Sequence, residues 1–301
     1  YGFVISGPVN MKKKKTKNLP QLINEYLSFK MVTKSKNTIS NMETTLLHYA
    51  QFCLDRKRHP LKEDTVFKWV SNLRFGNKKR KGNTINNYIS RLKTFLNYLV
   101  NVGYIDSNPA KMVDLLPPEH KEIVGFNHND AKVLIQSAGK HRHSNYWVPM
   151  ILLGWHYGMR ISDCSHIKHK EVDMNYRQIN FLPKKQRRRY IRLPLHPDVY
   201  DAFNNAELGE GEYMFPDAVR KYEVKTLSCE FKSIIKSAKL PESYTFHCLR
   251  HGAATNMLKM GIRMTTITEI IGWSSPTMLY KYMDTDQEEM DKVLDMKSIT
   301  V

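Results

Sequence analysis

The chain has 301 residues, with 47 Lys+Arg against 29 Asp+Glu for a formal charge of +18, and it is 41% hydrophobic and 11% aromatic. That much apolar material excludes wholesale disorder, no run of about 18 uninterrupted apolar residues offers a membrane span, and 4 cysteines without a C-x-x-C pair write neither a disulfide framework nor a zinc cluster. What remains is a reduced, intracellular protein of two domains whose positive surplus suits a polyanion, nucleic acid first among them.

Residues 1–18 read as an N-terminal extension ending in a basic tail, Lys12 to Lys15, with no charged n-region or clear cleavage site before Met11. From Leu19 to about Asn101 the pattern is helical. Leu22, Ile23, Tyr26 and Leu27 share one face; Ile39, Met42, Leu46, Tyr49 and Cys53 share another, on a helix capped by Asn37 or Thr38. Val66, Phe67, Val70 and Leu73 mark a short third helix. The fourth starts at Gly82-Asn83-Thr84 and places Ile85, Tyr88, Ile89, Leu92, Phe95, Leu96 and Leu99 at three- and four-residue spacing. Between the last two lies a basic loop in which Lys78, Lys79, Arg80 and Lys81 are candidate phosphate contacts.

Breaks at Gly103, Asn108-Pro109, Pro117-Pro118 and Gly125 place a linker across residues 108–124. Beyond it, Asp130 to Gly139 and Tyr146 to Gly158 read as helices, the second interrupted by Pro149. Arg177 to Leu182 and Tyr190 to Leu195 read as two strands joined by a very basic turn. Helices follow around Val199 to Asn205, Tyr222 to Ala238, His247 to Met260 and Thr265 to Ile271. The fold class is mainly α with a small antiparallel hairpin, so the second half is α+β.

Phosphate-loop, dinucleotide and zinc-protease signatures are absent. Chemistry at phosphate without a metal needs a protein nucleophile and fixed cations, which directs attention to arginines in constrained places. One lies in Gly158-Met159-Arg160-Ile161-Ser162-Asp163, where an apolar helix ends at glycine and the next opens. Another lies in His247-Cys248-Leu249-Arg250-His251, with His247 and Arg250 on one helical face. Downstream, Trp273, Tyr280 and Tyr282 cluster in a turn-initiated segment.

The order of these motifs resembles the tyrosine recombinase/integrase family over nearly the whole chain from Leu19. The family pattern is an arginine after a glycine, a lysine in a hairpin turn, H-x-x-R, a His or Trp, and a tyrosine nine residues later. Carried over, it implies Arg160, Lys185, His247, Arg250, Trp273 and Tyr282 as catalytic residues, with Tyr282 the nucleophile, Lys185 preferred to Lys184, and Tyr280 a packing residue. A tryptophan at 273, found in a subset of members, donates through its indole N–H but carries no proton as imidazole does. Asp163 and His251, beside the motif arginines, would orient them. Lys184, Arg187 and Arg188 in the turn would add DNA contacts.

The resemblance further implies a two-domain C-shaped DNA clamp, with a SAM-like core-binding domain at 19–107 and a catalytic domain at 125–301. Its activity would be site-specific strand exchange through a 3′-phosphotyrosyl link, with no cofactor and no metal. Arg160 and Arg250 would clamp the phosphate, Lys185 would protonate the leaving 5′-oxygen, and His247 would assist proton transfer from Tyr282. The partner would be duplex DNA with inverted-repeat core sites, held by a homotetramer. An amphipathic segment over residues 286–301 would dock on a neighbouring protomer, and the setting would be cytoplasmic and nucleoid-associated in a prokaryotic or viral context. Alternatives are a type IB topoisomerase, which the compact size and helical N-terminal half disfavour, and a DNA-binding architectural protein, which the filled catalytic positions disfavour.

Overall fold

A computed structural model of the protein describes residues 17–77, 79–117, 124–184, 190–223, 225–273 and 275–282. Its backbone packing divides the chain into two units, Tyr1–Lys121 and Glu122–Val301. Lys12 to Lys15, Lys78, Lys185, Arg187, Arg188 and residues 286–301 lie outside the described residues. Among those described, no helix is long and apolar enough to cross a membrane.

The first unit is built on α1 Leu19–Met31, α2 Lys36–Asp55, α3 Glu63–Phe75 and α4 Gly82–Asn101. Asn18 opens α1 with a reciprocal capping box: its side-chain Oδ1 accepts from Gln21 N–H at 3.0 Å, and Gln21 Oε1 accepts from Asn18 N–H at 3.0 Å. The cap of α2 is Ser35 rather than Asn37 or Thr38, because the Ser35 hydroxyl reaches the Thr38 N–H at 3.3 Å and the helix starts upstream of the first apolar residue. The stripes read from the sequence converge as one core, in which Ile23, Tyr26, Leu46, Tyr49, Trp69, Leu92, Phe95, Leu96 and Leu99 are almost wholly buried; Phe67 is the exception, exposed on the far side of α3 while Trp69 takes the core position. Two of its polar edges are paired, Trp69 Nε1–H donating to His48 Nδ1 at 3.1 Å and the Tyr49 hydroxyl to Pro60 O at 2.6 Å, whereas the buried Tyr26 hydroxyl has no partner among the described residues.

Residues 108–117, which their turn-forming composition marks as linker, pack on this unit. Ala110 and Val113 are buried in its core. Asn86 brackets Leu116, donating to its carbonyl at 2.9 Å and accepting from its N–H at 2.8 Å. Asn108-Pro109 therefore marks a bend along the surface of α4, not the exit from the unit.

The second unit comprises α5 His128–Gly139, α6 Ser144–Tyr157, α7 Ile161–Ser165, the strands β1 Val172–Asp173, β2 Gln178–Phe181 and β3 Ile191–Pro194, then α8 Pro197–Asn204, α9 Pro216–Glu223, α10 Leu227–Ser237, α11 Phe246–Lys259 and α12 Met264–Ile271, closing on a 3₁₀ helix, Pro276–Tyr282. The sheet is antiparallel in the order β1-β2-β3, and the hairpin pairs Gln178 with Pro194 through Phe181 with Ile191. The helix read across 222–238 is instead two, since Lys225 takes a left-handed φ of 59° after α9. α6 runs through Pro149 and is buried on nearly every side, which is why its pattern reads apolar all round.

Two close approaches fix α11. Gly154 of α6 faces it so tightly that a Cβ there would meet Leu249 Cδ1 at 3.1 Å, and a Cβ on Gly252 would stand 2.4 Å from Phe126 O. The segment at 125–126 thus crosses α11 backbone to backbone, with Phe126 N–H donating to Cys248 O at 3.3 Å.

Candidate active site

The site is assembled where α6 ends. Gly158 takes φ 61° and ψ 28°, the left-handed cap that stops α6 and turns the chain toward α7. Arg160 is the N-cap residue of α7, extended at φ −77° and ψ 150°, so it leaves the core partly exposed. Its Nη1 lies 3.7 Å from Asp163 Oδ2. Asp163 is buried, and its other carboxylate oxygen accepts from the Lys184 N–H at 3.0 Å. One carboxylate therefore joins the Arg160 side chain to the start of the basic hairpin turn.

Arg250 lies on α11 and is 1% exposed, unusual for a cation. Its Nη1 donates to the Gly158 carbonyl at 2.6 Å, so the αL turn and the arginine hold each other, while its Nη2 is buried with no hydrogen-bond partner among the described residues. Its guanidinium also lies 5.2 Å from the centre of the Trp273 ring. Burial, then the nearby positive charge of Arg160, pull its pKa down to about 9, against the opposing pull of Asp163. It stays charged at neutral pH. A buried cation with an unused donor suits an incoming anion, and a phosphate oxygen meets both needs.

Tyr282 ends the 3₁₀ helix. It stacks on Trp273 with centroids 5.7 Å apart and planes at 18°, and its hydroxyl shares a hydrogen bond with His251 Nδ1. Leu279, wholly buried with Ala254, Met257, Ile267 and Ile271, anchors the segment three residues earlier, and Trp273 and Tyr282 pack on the same cluster. Burial pushes the Tyr282 hydroxyl up to about 12, with Arg250 acting the other way, so the resting group is neutral. Tyr280 is 64% exposed and lies outside that cluster.

Arg250, Trp273, Tyr282 and His251 are thus joined in a chain of contacts, and the paired Arg160 and Asp163 lie close enough for their charges to act on Arg250. His247 is exposed one turn before His251 and meets it edge to face at 4.5 Å. The sequence reading gives the tyrosine proton to His247, but the hydrogen bond to the hydroxyl is made by His251. Both imidazoles lie four residues apart on one helical face, so spacing alone does not choose between them. Lys184 is described, with its ammonium 5.7 Å from the Tyr222 ring centre, whereas the preferred Lys185 lies outside the described residues. Of the basic loop in the first unit, Arg80 caps the Tyr88 ring at 4.8 Å, and Lys79 and Lys81 are exposed.

Comparison with known proteins bears on the same regions. Residues 125–289 match the profile described as "Phage integrase family", and residues 18–115 match "Phage integrase SAM-like domain". The chain is 25% identical to the tyrosine recombinase XerD of Rickettsia prowazekii over 280 residues, covering 84% of this chain and 88% of that protein. It is 25% identical over 226 residues to XerC of Pediococcus pentosaceus, covering 69% and 73%. Among solved structures, a Tn1549 transposon integrase in complex with transposon right end DNA superposes with a TM-score of 0.74 at 18% identity over 93% of this chain and 99% of that one. A lambda integrase dimer bound to a core site gives 0.69 at 16% identity over 86% and 96%.

Proposed function

Because the chain belongs to the phage integrase family and is thus a site-specific recombinase that cuts and rejoins DNA, we propose that its chemistry runs through Tyr282 beside Arg160, Arg250, His251 and Trp273. The observation that carries this reading is the pairing of a neutral tyrosine hydroxyl, hydrogen-bonded to an imidazole, with a buried arginine that has a donor to spare.

Tyr282 attacks a scissile phosphate, its oxygen forming the new P–O bond as the 5′-oxygen of the next nucleotide departs. The 3′-phosphotyrosyl link keeps the phosphodiester energy, and a partner strand's 5′-hydroxyl reverses the step. His251 takes the phenolic proton, and His247, against its ring, is the neighbour through which that proton passes on. Arg250 donates its free Nη2 to a non-bridging oxygen and Arg160 supplies the second guanidinium. Their charge counts most where negative charge builds up, and one such donor is worth about 3–4 kcal/mol of barrier. Trp273 holds the tyrosine ring from its face and offers its indole N–H. Lys185 protonates the leaving oxygen from the turn whose base Asp163 fixes through Lys184 N–H.

Residues from 19 through the packed segment that ends at 117 form the core-binding domain and 125–301 the catalytic domain. Lys79 and Lys81, exposed in the basic loop, grip phosphates, as do Lys184, Arg187 and Arg188. The working assembly is a homotetramer on two duplexes with inverted-repeat core sites, with residues 286–301 docked on a neighbouring protomer, in the compartment that holds the DNA.

The test is a suicide duplex, nicked beside the scissile phosphate and drawn from the DNA flanking the gene. A covalent protein–DNA adduct that forms with the wild type and with Tyr280→Phe but not with Tyr282→Phe is expected. An adduct that survives in Tyr282→Phe would remove this tyrosine from the mechanism. Relaxation of plasmid without any specific site would indicate a topoisomerase instead.

A further inference from the structure

The hairpin end opposite the basic turn carries a second cluster of chemistry that strand exchange does not use. β3 ends at Pro194, and His196 caps α8, its Nδ1 accepting from the Asp198 N–H at 3.2 Å. His156, in the last turn of α6, points at the same place: its Nε2 lies 3.0 Å from Asp198 Oδ2, and His196 Nδ1 lies 3.6 Å from that oxygen. One ligand-type atom from each of the three falls within 4.8 Å of the others. The next residue along, Tyr157, pins the frame by donating to Pro194 O at 2.9 Å and accepting from the His196 N–H at 2.6 Å.

A divalent ion held by nitrogen and carboxylate at about 2.0–2.2 Å in a tetrahedron sets neighbouring donor atoms roughly 3.3 Å apart. The observed 3.0 and 3.6 Å straddle that edge. Two imidazoles with one carboxylate suit a borderline ion such as zinc and not magnesium or calcium, which take oxygen. We propose that His156, His196 and Asp198 form a zinc-class metal site that staples the end of α6 to the start of α8, with water completing the coordination.

The two rings lie stacked at 3.7 Å with planes 18° apart, so their in-plane lone pairs do not converge as they stand. Binding turns one ring out of the stack. His196 is the one free to turn, being exposed where His156 is half-buried, and it exchanges the hydrogen bond from Asp198 N–H for the metal. Two residues past His156 stands Gly158, whose carbonyl holds Arg250. A staple here stiffens the helix end from which the arginines are set, without touching the reacting phosphate.

The full chain, stripped with a chelator and exchanged into metal-free buffer, is titrated calorimetrically with zinc chloride and, separately, with magnesium chloride. One zinc equivalent is expected, with magnesium giving no comparable binding. Asp198→Asn and His156→Gln are expected to weaken zinc by about tenfold or more and to erase the zinc-dependent rise in melting temperature. Circular dichroism shows that each variant is folded; His196→Gln stands in for either one that is not. His247→Ala serves as the control for the other histidine pair. Absence of zinc binding in the wild type, undiminished binding in the folded variants, or loss only in His247→Ala would each overturn the site.

Discussion

The two units bury different things. Among the described residues, the first unit buries the polar side chains of Thr45 and Thr65; in the second the buried polar side chains include Asp163, Ser165, Arg250 and Thr268, and one of these is a full cation with an unused donor. The first unit follows the ordinary rule that charge stays outside. The second breaks it at the spot where negative charge is to be received, so its departure from good packing marks where the chemistry lies.

That contrast is open to direct attack. The largest expected effect is His251→Gln, which should slow adduct formation by about 10²–10⁴-fold if this imidazole is the base. The residual rate should then rise roughly tenfold per pH unit from pH 7 to 9, because a hydroxyl held near 12 yields tenfold more phenolate with each unit while it is still mostly protonated. A flat profile in the variant would return the role to His247. Arg250→Met should cut adduct formation by about 10²–10³-fold while leaving the melting temperature unchanged or raised, since a buried cation with only part of its donors paired gives way to an apolar chain of similar length. A large loss of stability would mean that the hydrogen bond to Gly158 outweighs the cost of burial.

Leu96→Ala in the first unit should do the reverse, lowering stability by about 2–5 kcal/mol in a denaturant melt with no change in the chemistry of preformed complexes. Gly252→Ala tests the backbone crossing, and a Cβ at 2.4 Å from Phe126 O should cost about 1–3 kcal/mol or more by the same melt. The smallest effect belongs to Arg80→Gln. It should reduce the slope of log affinity against log salt by about 1 if the guanidinium leaves Tyr88 for a phosphate, and by nothing if it stays on the ring.

The first unit was the more legible of the two in the sequence, because its information is periodic. The apolar stripes from Leu22 to Leu99 became core except at Phe67, since amphipathic helices in a small bundle have one way to hide their apolar faces. Punctuation is where sequence and structure differ: Asn108-Pro109 reads as an exit and is a bend, because Ala110 and Val113 are too few to register as a pattern although they lie in the core. In the second unit the motif residues Arg160, Arg250 and Tyr282 stood out by type and spacing, but their partners did not. The contact of Asp163 with Lys184 N–H spans 21 residues and uses backbone, which has no sequence signature. Choosing His251 over His247 required the path of the chain after Gly272, which only packing fixes.

Leu279 gives the nucleophile a measurable tether. It is sunk in the core three residues ahead of Tyr282, and those residues are wound as a 3₁₀ turn. Wound, they rise about 2.0 Å each; drawn out, about 3.3 Å. The difference over three residues is roughly 4 Å of travel for the hydroxyl. That slack is longer than a hydrogen bond, so the tyrosine can part from His251 and swing to another position while the hydrophobic peg behind it stays seated.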